Sequence, residues 1–76
     1  MKEKLLEIIN SIREVKGYEP LTNLDDDANL RTDLGLDSFD LAELTVHIEE
    51  FSGIDVFENG IVSTIKEIIV QLNTDL

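Results

Sequence analysis

The sequence predicts an all-α fold in which amphipathic helices form a small bundle. Three segments repeat apolar residues at spacings of three and four, the pattern of a helix with one buried face. The stretches between them are rich in glycine, proline, asparagine and aspartate, which are typical of turns. Because no strand pattern competes with these segments, we expect helices packed around leucines and isoleucines.

The first helix is predicted from Lys2 to Lys16, with Gly17 placed to cap its carboxyl end. One face of this segment is entirely apolar and consists of Leu5, Ile8, Ile9, Ile12 and Val15.

A long loop is predicted from Tyr18 to Leu36, where the helical periodicity fails. Loops of this length in compact domains are usually functional or held down by packing. We expect it to lie across the helix ends with a short helical turn near Asp26 to Asn29. The side chains expected to point inward are Leu21, Leu24, Ala28, Leu30, Leu34 and Leu36.

The second helix is predicted from Ser38 to Phe51 or Ser52, and Gly53 should end it. Asp37 stands at the N-cap position and Asp40 at the spacing of a capping box, so Ser38 should be the first helical residue and face solvent. A phosphate ester on Ser38 would lie beside free backbone N–H groups and the positive end of the helix dipole. The inner face should hold Leu41, Leu44, Thr45, Ile48 and Phe51, and the outer face Asp40, Glu43, Val46, His47 and Glu50, with Phe39 and Glu49 at the edges.

The last helix should open at Ser63 and Thr64, with Thr64 and Glu67 at capping-box spacing, and end at Asn73. Its buried stripe is predicted to be Ile65, Ile68, Ile69 and Leu72. The segment from Ile54 to Ile61, bounded by Gly53 and Gly60, is too short for a full helix.

Length and composition exclude several classes of protein. The 76 residues suit one domain, 1–76, and the net charge of −11 at pH 7 argues against nucleic-acid binding. No cysteine is present, so neither disulfides nor a thiolate metal site is expected. No apolar run is long enough for a membrane span or a secretory signal, so we expect a cytoplasmic protein.

The net negative charge is larger in the second half of the chain, because its acidic residues are accompanied by almost no basic ones. No lysine or arginine occurs from Thr32 to Ile65, which favours basic partners over acidic ones. The aspartates of the loop do not form a calcium loop, because Leu30 and Leu36 stand where that motif needs glycine and glutamate. We therefore expect no dedicated metal site, and non-specific binding of divalent cations by these aspartates is the alternative that stays open.

No intrinsic catalysis is expected. The one histidine, His47, lies nine residues after Ser38 on the same predicted helix. That is about 13 Å along the axis, too far for His47 to act as a base toward Ser38.

The motif Gly35-Leu36-Asp37-Ser38 resembles the attachment site of acyl and peptidyl carrier proteins. The similarity extends over nearly the whole chain, through Asp26-Asp27-Ala28, Asp33-Leu34-Gly35, Glu43-Leu44 and Glu49-Glu50-Phe51. The resemblance implies a single carrier domain with a four-helix bundle, a long first loop and a short third helix over residues 54–61. It also implies that a phosphopantetheinyl transferase attaches 4'-phosphopantetheine to Ser38, with Gly35, Leu36 and Asp37 as the attachment motif.

The resemblance further implies a docking face for acyl-transferring, condensing or ligase enzymes with basic patches. The residues carried over as partner contacts are Asp37, Phe39, Asp40, Glu43, Val46, Glu49 and Glu50. Phe39 departs from the leucine or methionine common after the serine, which indicates a specialised carrier. An alternative for Phe39 is that it folds back into the core.

Three functions remain open on the sequence. The first is an acyl carrier protein, monomeric and non-catalytic, that presents thioester-bound intermediates in fatty acid or polyketide-type synthesis. The second is a D-alanyl or aminoacyl/peptidyl carrier loaded by an adenylating ligase. The third is an unmodified acidic helical module that binds basic partners without a prosthetic group.

Overall fold

The computed structural model describes residues 2–57 and 62–74. Within these ranges the chain forms three helices and no strand: α1 (Lys2–Val15), α2 (Ser38–Ser52) and α3 (Ile65–Thr74). An all-α fold is thus confirmed. None of the helices in these ranges is both long enough and apolar enough to cross a membrane.

The core is apolar throughout, since no polar or charged side chain is buried among the described residues. All three helices contribute to it, and so does the loop between α1 and α2, whose leucines turn inward as predicted. Val56 and Val62, on either side of residues 58–61, complete it. The buried side chains of the helices are Leu5, Ile8, Ile9, Ile12, Leu44, Ile48, Ile65, Ile68 and Leu72, and those of the loop are Leu24, Leu30, Leu34 and Leu36.

Helix α1 ends one residue earlier than predicted, in a turn made by Gly17. Gly17 adopts a left-handed conformation with φ of 83°, its N–H donates to Glu14 O, and the Tyr18 N–H donates to Arg13 O. These two bonds satisfy carbonyls that the helix end leaves free. The prediction that Val15 is buried is wrong: it is 89% exposed, because it lies at the edge of the apolar stripe in the last turn.

The loop is held across the amino end of α3 by backbone hydrogen bonds. Leu30 N–H donates to Ser63 O, and the N–H groups of Ile65 and Lys66 donate to Ala28 O and Asp26 O. The loop carbonyls therefore satisfy N–H groups that the first turn of α3 cannot satisfy internally. This pairing explains how a loop of that length keeps a fixed path.

The helical turn expected near Asp26 to Asn29 lies slightly later in the chain. Its bonds run from Asp33 N–H to Asn29 O and from Gly35 N–H to Arg31 O. The Asn29 side-chain oxygen accepts from the N–H groups of Arg31 and Thr32 and so caps this turn. Residues 25–28 form only a single tight turn, closed by Ala28 N–H and Asp25 O.

A short third helix is not confirmed, and neither is the four-helix bundle. Residues 54–57 form a turn in which the Asp55 carboxylate accepts the Phe57 N–H at 3.0 Å. Such a side-chain bond competes with helix formation. The remainder of the predicted helix, 58–61, lies outside the described residues.

Helix α3 begins with a variant of the predicted capping box. Thr64 Oγ1 accepts the Glu67 N–H at 3.4 Å, but the Glu67 carboxylate reaches back to the N–H of Ser63 rather than that of Thr64. The helix extends to Thr74, one residue beyond the predicted end.

Candidate functional site

The junction of the loop with α2 is fixed by a reciprocal capping box. Asp37 Oδ1 accepts the Asp40 N–H at 2.9 Å, and Asp40 Oδ2 accepts the Asp37 N–H at 3.0 Å. Both predicted bonds are present. Ser38 is therefore the first residue of α2, and its side chain is exposed.

Gly35 and Leu36 set the path of the chain into this junction. Gly35 has φ of 74°, and a Cβ built on it would lie 2.9 Å from Tyr18 Cε2. The positive φ therefore favours glycine, and a Cβ at this position would displace the Tyr18 ring. Leu36 is buried in the core, and its N–H donates to Leu30 O at 3.0 Å. Leu36 therefore anchors the motif to the core.

Lys16 connects the end of α1 to the first turn of α2. Its Nζ donates to Asp40 Oδ2 at 2.6 Å and to Gly35 O at 3.1 Å, and it lies 3.5 Å from Asp37 Oδ2. The hydrogen bond with Asp40 raises the pKa of Lys16. The pKa of Asp37 is lowered mainly by the N–H of Asp40, with a further contribution from the charge of Lys16.

Asp40 is not an outward-facing residue, contrary to the sequence prediction. Its side chain is only 14% exposed, because Lys16 covers it. With one carboxylate oxygen shared between Lys16 and the Asp37 N–H, Asp40 holds the junction together.

Arg13 and Tyr18 support the same turn from the side of α1. Arg13 Nε donates to Leu34 O, and its Nη1 donates to Glu19 O, each at 3.1 Å. The Tyr18 ring lies 5.3 Å from the Arg13 guanidinium carbon and 5.8 Å from Lys16 Nζ, within the range of cation–π attraction. The residues before Ser38 are consequently held from two sides.

Arg31 is the basic residue that contacts the Ser38 side chain. Its Nη2 donates to Ser38 Oγ at 3.0 Å, and both side chains are exposed. A guanidinium only donates hydrogen bonds, so Ser38 must accept here. The hydroxyl proton of Ser38 therefore stays available to an external base.

Sequence reasoning missed Arg13, Lys16 and Arg31 as site residues. Arg13 and Lys16 are three residues apart at the end of the first helix, so the sequence predicts that they lie on the same face. The partners of Arg13 and Lys16 could not be predicted from the sequence, because they depend on the path of the long loop.

The outer face of α2 combines exposed apolar side chains with carboxylates. Phe39 is 87% exposed and Val46 54% exposed, so the alternative that Phe39 folds into the core is wrong. Glu43, Glu49 and Glu50 are also exposed. His47 lies between two of them, with Nε2 3.6 Å from Glu43 and Nδ1 3.8 Å from Glu50.

A solvent-open groove of about 460 Å³ lies beside Ser38. Its floor includes apolar atoms of α2 and of the turn that follows α2. The lining residues are Arg31, Ser38, Leu41, Ala42, Thr45, Asp55 and Phe57. Across residues 2–57 and 62–74, no three histidine, aspartate or glutamate side chains cluster so as to hold a metal ion.

Comparison with known proteins identifies one family. The family model described as phosphopantetheine attachment site matches residues 3–69, which include the whole junction around Ser38. The searches of curated proteins and of solved structures each found no significant match.

Proposed function

Because this chain belongs to the phosphopantetheine attachment site family, whose domains carry covalently attached 4'-phosphopantetheine, we propose that Ser38 is the residue that bears this group. The observation that carries the proposal is the position of Ser38: an exposed hydroxyl on the first residue of α2, directly after the motif Gly35-Leu36-Asp37. The chain is thus a phosphopantetheine-dependent carrier domain.

The residues around Ser38 fit a phosphate ester. The backbone N–H groups of the first turn of α2 and the helix dipole favour negative charge at this position. A guanidinium donor, Arg31 Nη2, already lies 3.0 Å from the oxygen that would be esterified. The capping box and Lys16 hold the helix start in place independently of the Ser38 side chain.

Attachment is the work of an external enzyme, because the group that hydrogen-bonds the Ser38 hydroxyl is the Arg31 guanidinium, which only donates and cannot take the proton. The Ser38 oxygen forms the new bond to phosphorus, and its proton passes to a base of the transferase. The nucleotide part of coenzyme A leaves with the electron pair of the broken P–O bond. Once attached, the group supplies a terminal thiol that holds cargo as a thioester.

The protein's own task is then to present this attachment point to partner enzymes. We propose that the outer face of α2 is the docking surface, with Glu43, Glu49 and Glu50 guiding basic patches and Phe39 and Val46 making the apolar contacts. Asp37, which is exposed, belongs to the same surface. Asp40 contributes by holding the start of the helix, because its carboxylate is covered by Lys16.

We further propose that the cargo is an acyl group handled in fatty acid or polyketide-type synthesis. The acidity of the chain and the glutamate-rich α2 favour an acyl carrier over a peptidyl carrier. Challenge of the modified protein with an acyl-transferring enzyme and, separately, with amino acids, ATP and an adenylating ligase distinguishes the two. Loading by the ligase alone would assign an aminoacyl cargo instead.

The attachment itself is tested by incubating the purified protein with coenzyme A and a phosphopantetheinyl transferase. Intact-protein mass spectrometry should show the gain of one phosphopantetheinyl group. Ser38→Ala should abolish the gain, while Ser11→Ala, which alters an exposed serine on α1, should leave it unchanged. An unmodified wild-type protein, or a modified Ser38→Ala protein, would contradict the proposal.

A further inference from the structure

Arg31 is fixed in place by the turn that precedes the attachment motif. Its N–H donates to the Asn29 side chain at 2.9 Å, and its carbonyl accepts from Gly35 N–H at 3.1 Å. The backbone of Arg31 is therefore tied to the same turn that delivers Gly35 to the junction, and its guanidinium meets Ser38 across this turn.

The guanidinium of Arg31 also differs from the other cations near the junction in what it binds. Lys16 is paired with Asp40, and Arg13 donates to two backbone carbonyls. No carboxylate of the described residues lies within ion-pairing distance of Arg31, whose recorded side-chain hydrogen bond goes to Ser38 Oγ. Its remaining N–H donors are free to bind an anion attached to that oxygen.

A phosphate at Ser38 would enter a region of negative charge. Asp37 precedes it with an exposed carboxylate, and the chain contains no lysine or arginine from Thr32 to Ile65. Arg31 stands immediately before that stretch. It is thus the cation placed to offset the charge that modification adds.

From this arrangement we propose that Arg31 is a phosphate-binding residue, which holds the phosphodiester at Ser38 through charge-assisted hydrogen bonds to its non-bridging oxygens. The inference rests on the proposed function, because it requires that Ser38 is esterified. The planar guanidinium suits such binding, since it can present two parallel N–H donors to one phosphate.

The test compares the apo and modified forms of wild type, Arg31→Gln and Arg31→Lys. Lys4→Gln is the matched control, because it removes one exposed positive charge from α1 about 16 Å along the helix from its last residue, Val15. Modification of every sample is verified by mass. The readouts are the ³¹P NMR resonance of the attached phosphate and the change in Tm between the apo and modified forms at low salt.

We expect the ³¹P resonance to move in Arg31→Gln and to keep its wild-type position in Lys4→Gln. The change in Tm on modification should be about 1–8 °C less favourable in Arg31→Gln than in wild type, as for an exposed charge pair in a domain of this size. The change in Tm for Arg31→Lys should fall between those of wild type and Arg31→Gln, since lysine keeps the positive charge but lacks the two parallel N–H donors of the guanidinium.

Two failures would be distinguishable. If Ser38 is modified in every variant but the ³¹P resonance and the Tm change are the same in Arg31→Gln as in wild type, the role of Arg31 is wrong and the attachment at Ser38 stands. If wild type itself takes up no group at Ser38, the proposed function and this inference are both contradicted.

Discussion

Lys16 Nζ lies 2.6 Å from Asp40 Oδ2, and the same oxygen accepts the Asp37 N–H at 3.0 Å. One carboxylate oxygen therefore joins the end of α1 to the amino cap of α2, across 24 residues of sequence. Lys16 and Asp37 therefore both interact with the Asp40 carboxylate. The contribution of each residue to the free energy of unfolding should depend on pH in a defined direction.

The charge of Asp37 should stabilise the fold only above acidic pH. Its pKa in the folded protein is lowered from the ordinary value of 3.8, chiefly by the Asp40 N–H. A group with a lowered folded pKa stabilises above its unfolded pKa and loses this contribution as the pH falls through the folded value. We expect the advantage of wild type over Asp37→Asn in free energy of unfolding to be constant at neutral pH and to shrink below about pH 4.

Lys16 should show the opposite dependence. Its pKa is raised from the ordinary value of 10.5 by Asp40, so its contribution is complete below that value and is lost as the pH rises through the folded pKa. Urea unfolding of wild type, Asp37→Asn and Lys16→Gln across the pH range checks both. Comparison with the variants cancels the general effect of relieving charge repulsion. If the differences in free energy of unfolding between wild type and the two variants do not vary with pH, the charges of Asp37 and Lys16 do not contribute to stability in this way.

Substitution of Gly35 should cost more than substitution of Gly17. Both have positive φ, so alanine costs about 1–2 kcal/mol of backbone strain at either position. At Gly35 the new Cβ also meets the Tyr18 ring, whereas at Gly17 nothing lies within 4 Å. We expect Gly35→Ala to lose about 1 kcal/mol more in denaturant unfolding.

A Tyr18→Ala background isolates the steric part of this difference. With the ring removed, the losses caused by Gly35→Ala and Gly17→Ala should become similar. If Gly35→Ala is no worse than Gly17→Ala with Tyr18 present, the packing of that ring on the attachment motif has no energetic weight.

The exposed ring of Phe39 should contribute to partner binding. Phe39→Ser is expected to raise the KM for the protein in the transferase reaction about 5–10-fold, as for loss of an aromatic interface contact worth at least 1 kcal/mol. Val15→Ser is the control, since Val15 is equally exposed but lies on α1. Equal effects of the two changes would argue against a docking surface centred on α2.

The glutamates of α2 should act mainly on the rate of association. Glu50→Lys should slow association with a basic partner enzyme, and the loss should diminish as salt is added. Glu3→Lys changes the net charge by the same amount on α1 and should have a much smaller effect. Stopped-flow association kinetics at two ionic strengths separate these outcomes, and equal slowing by both variants would point to net charge alone.

The parts of the site that the sequence predicted correctly are local. Asp37 and Asp40 are three residues apart, so the capping box follows from helix geometry alone, and with it the position of Ser38. The inward leucines of the loop were predictable because exposed loops do not repeat leucine so often.

The parts that could not be predicted join residues far apart in sequence. Lys16 reaches Asp40 across 24 residues, and Arg31 meets Ser38 across a turn that was expected elsewhere. Helical position alone placed Asp40 outward, and only the path of the loop shows that Lys16 covers it. One further difference is local: the resemblance implied a short third helix over residues 54–61, and in its described part, residues 54–57, a bond from the Phe57 N–H to the Asp55 carboxylate closes a turn.

Ser38 is the residue on which we propose that this carrier domain bears its prosthetic group. The most direct test is fragment mass spectrometry of the protein isolated from its native host, which locates the modification and reports its cargo together. We expect a phosphopantetheinyl group on the peptide that contains Ser38, with an acyl thioester on a fraction of the molecules. A group found on any other residue, or a host protein that is entirely unmodified, would contradict this proposal.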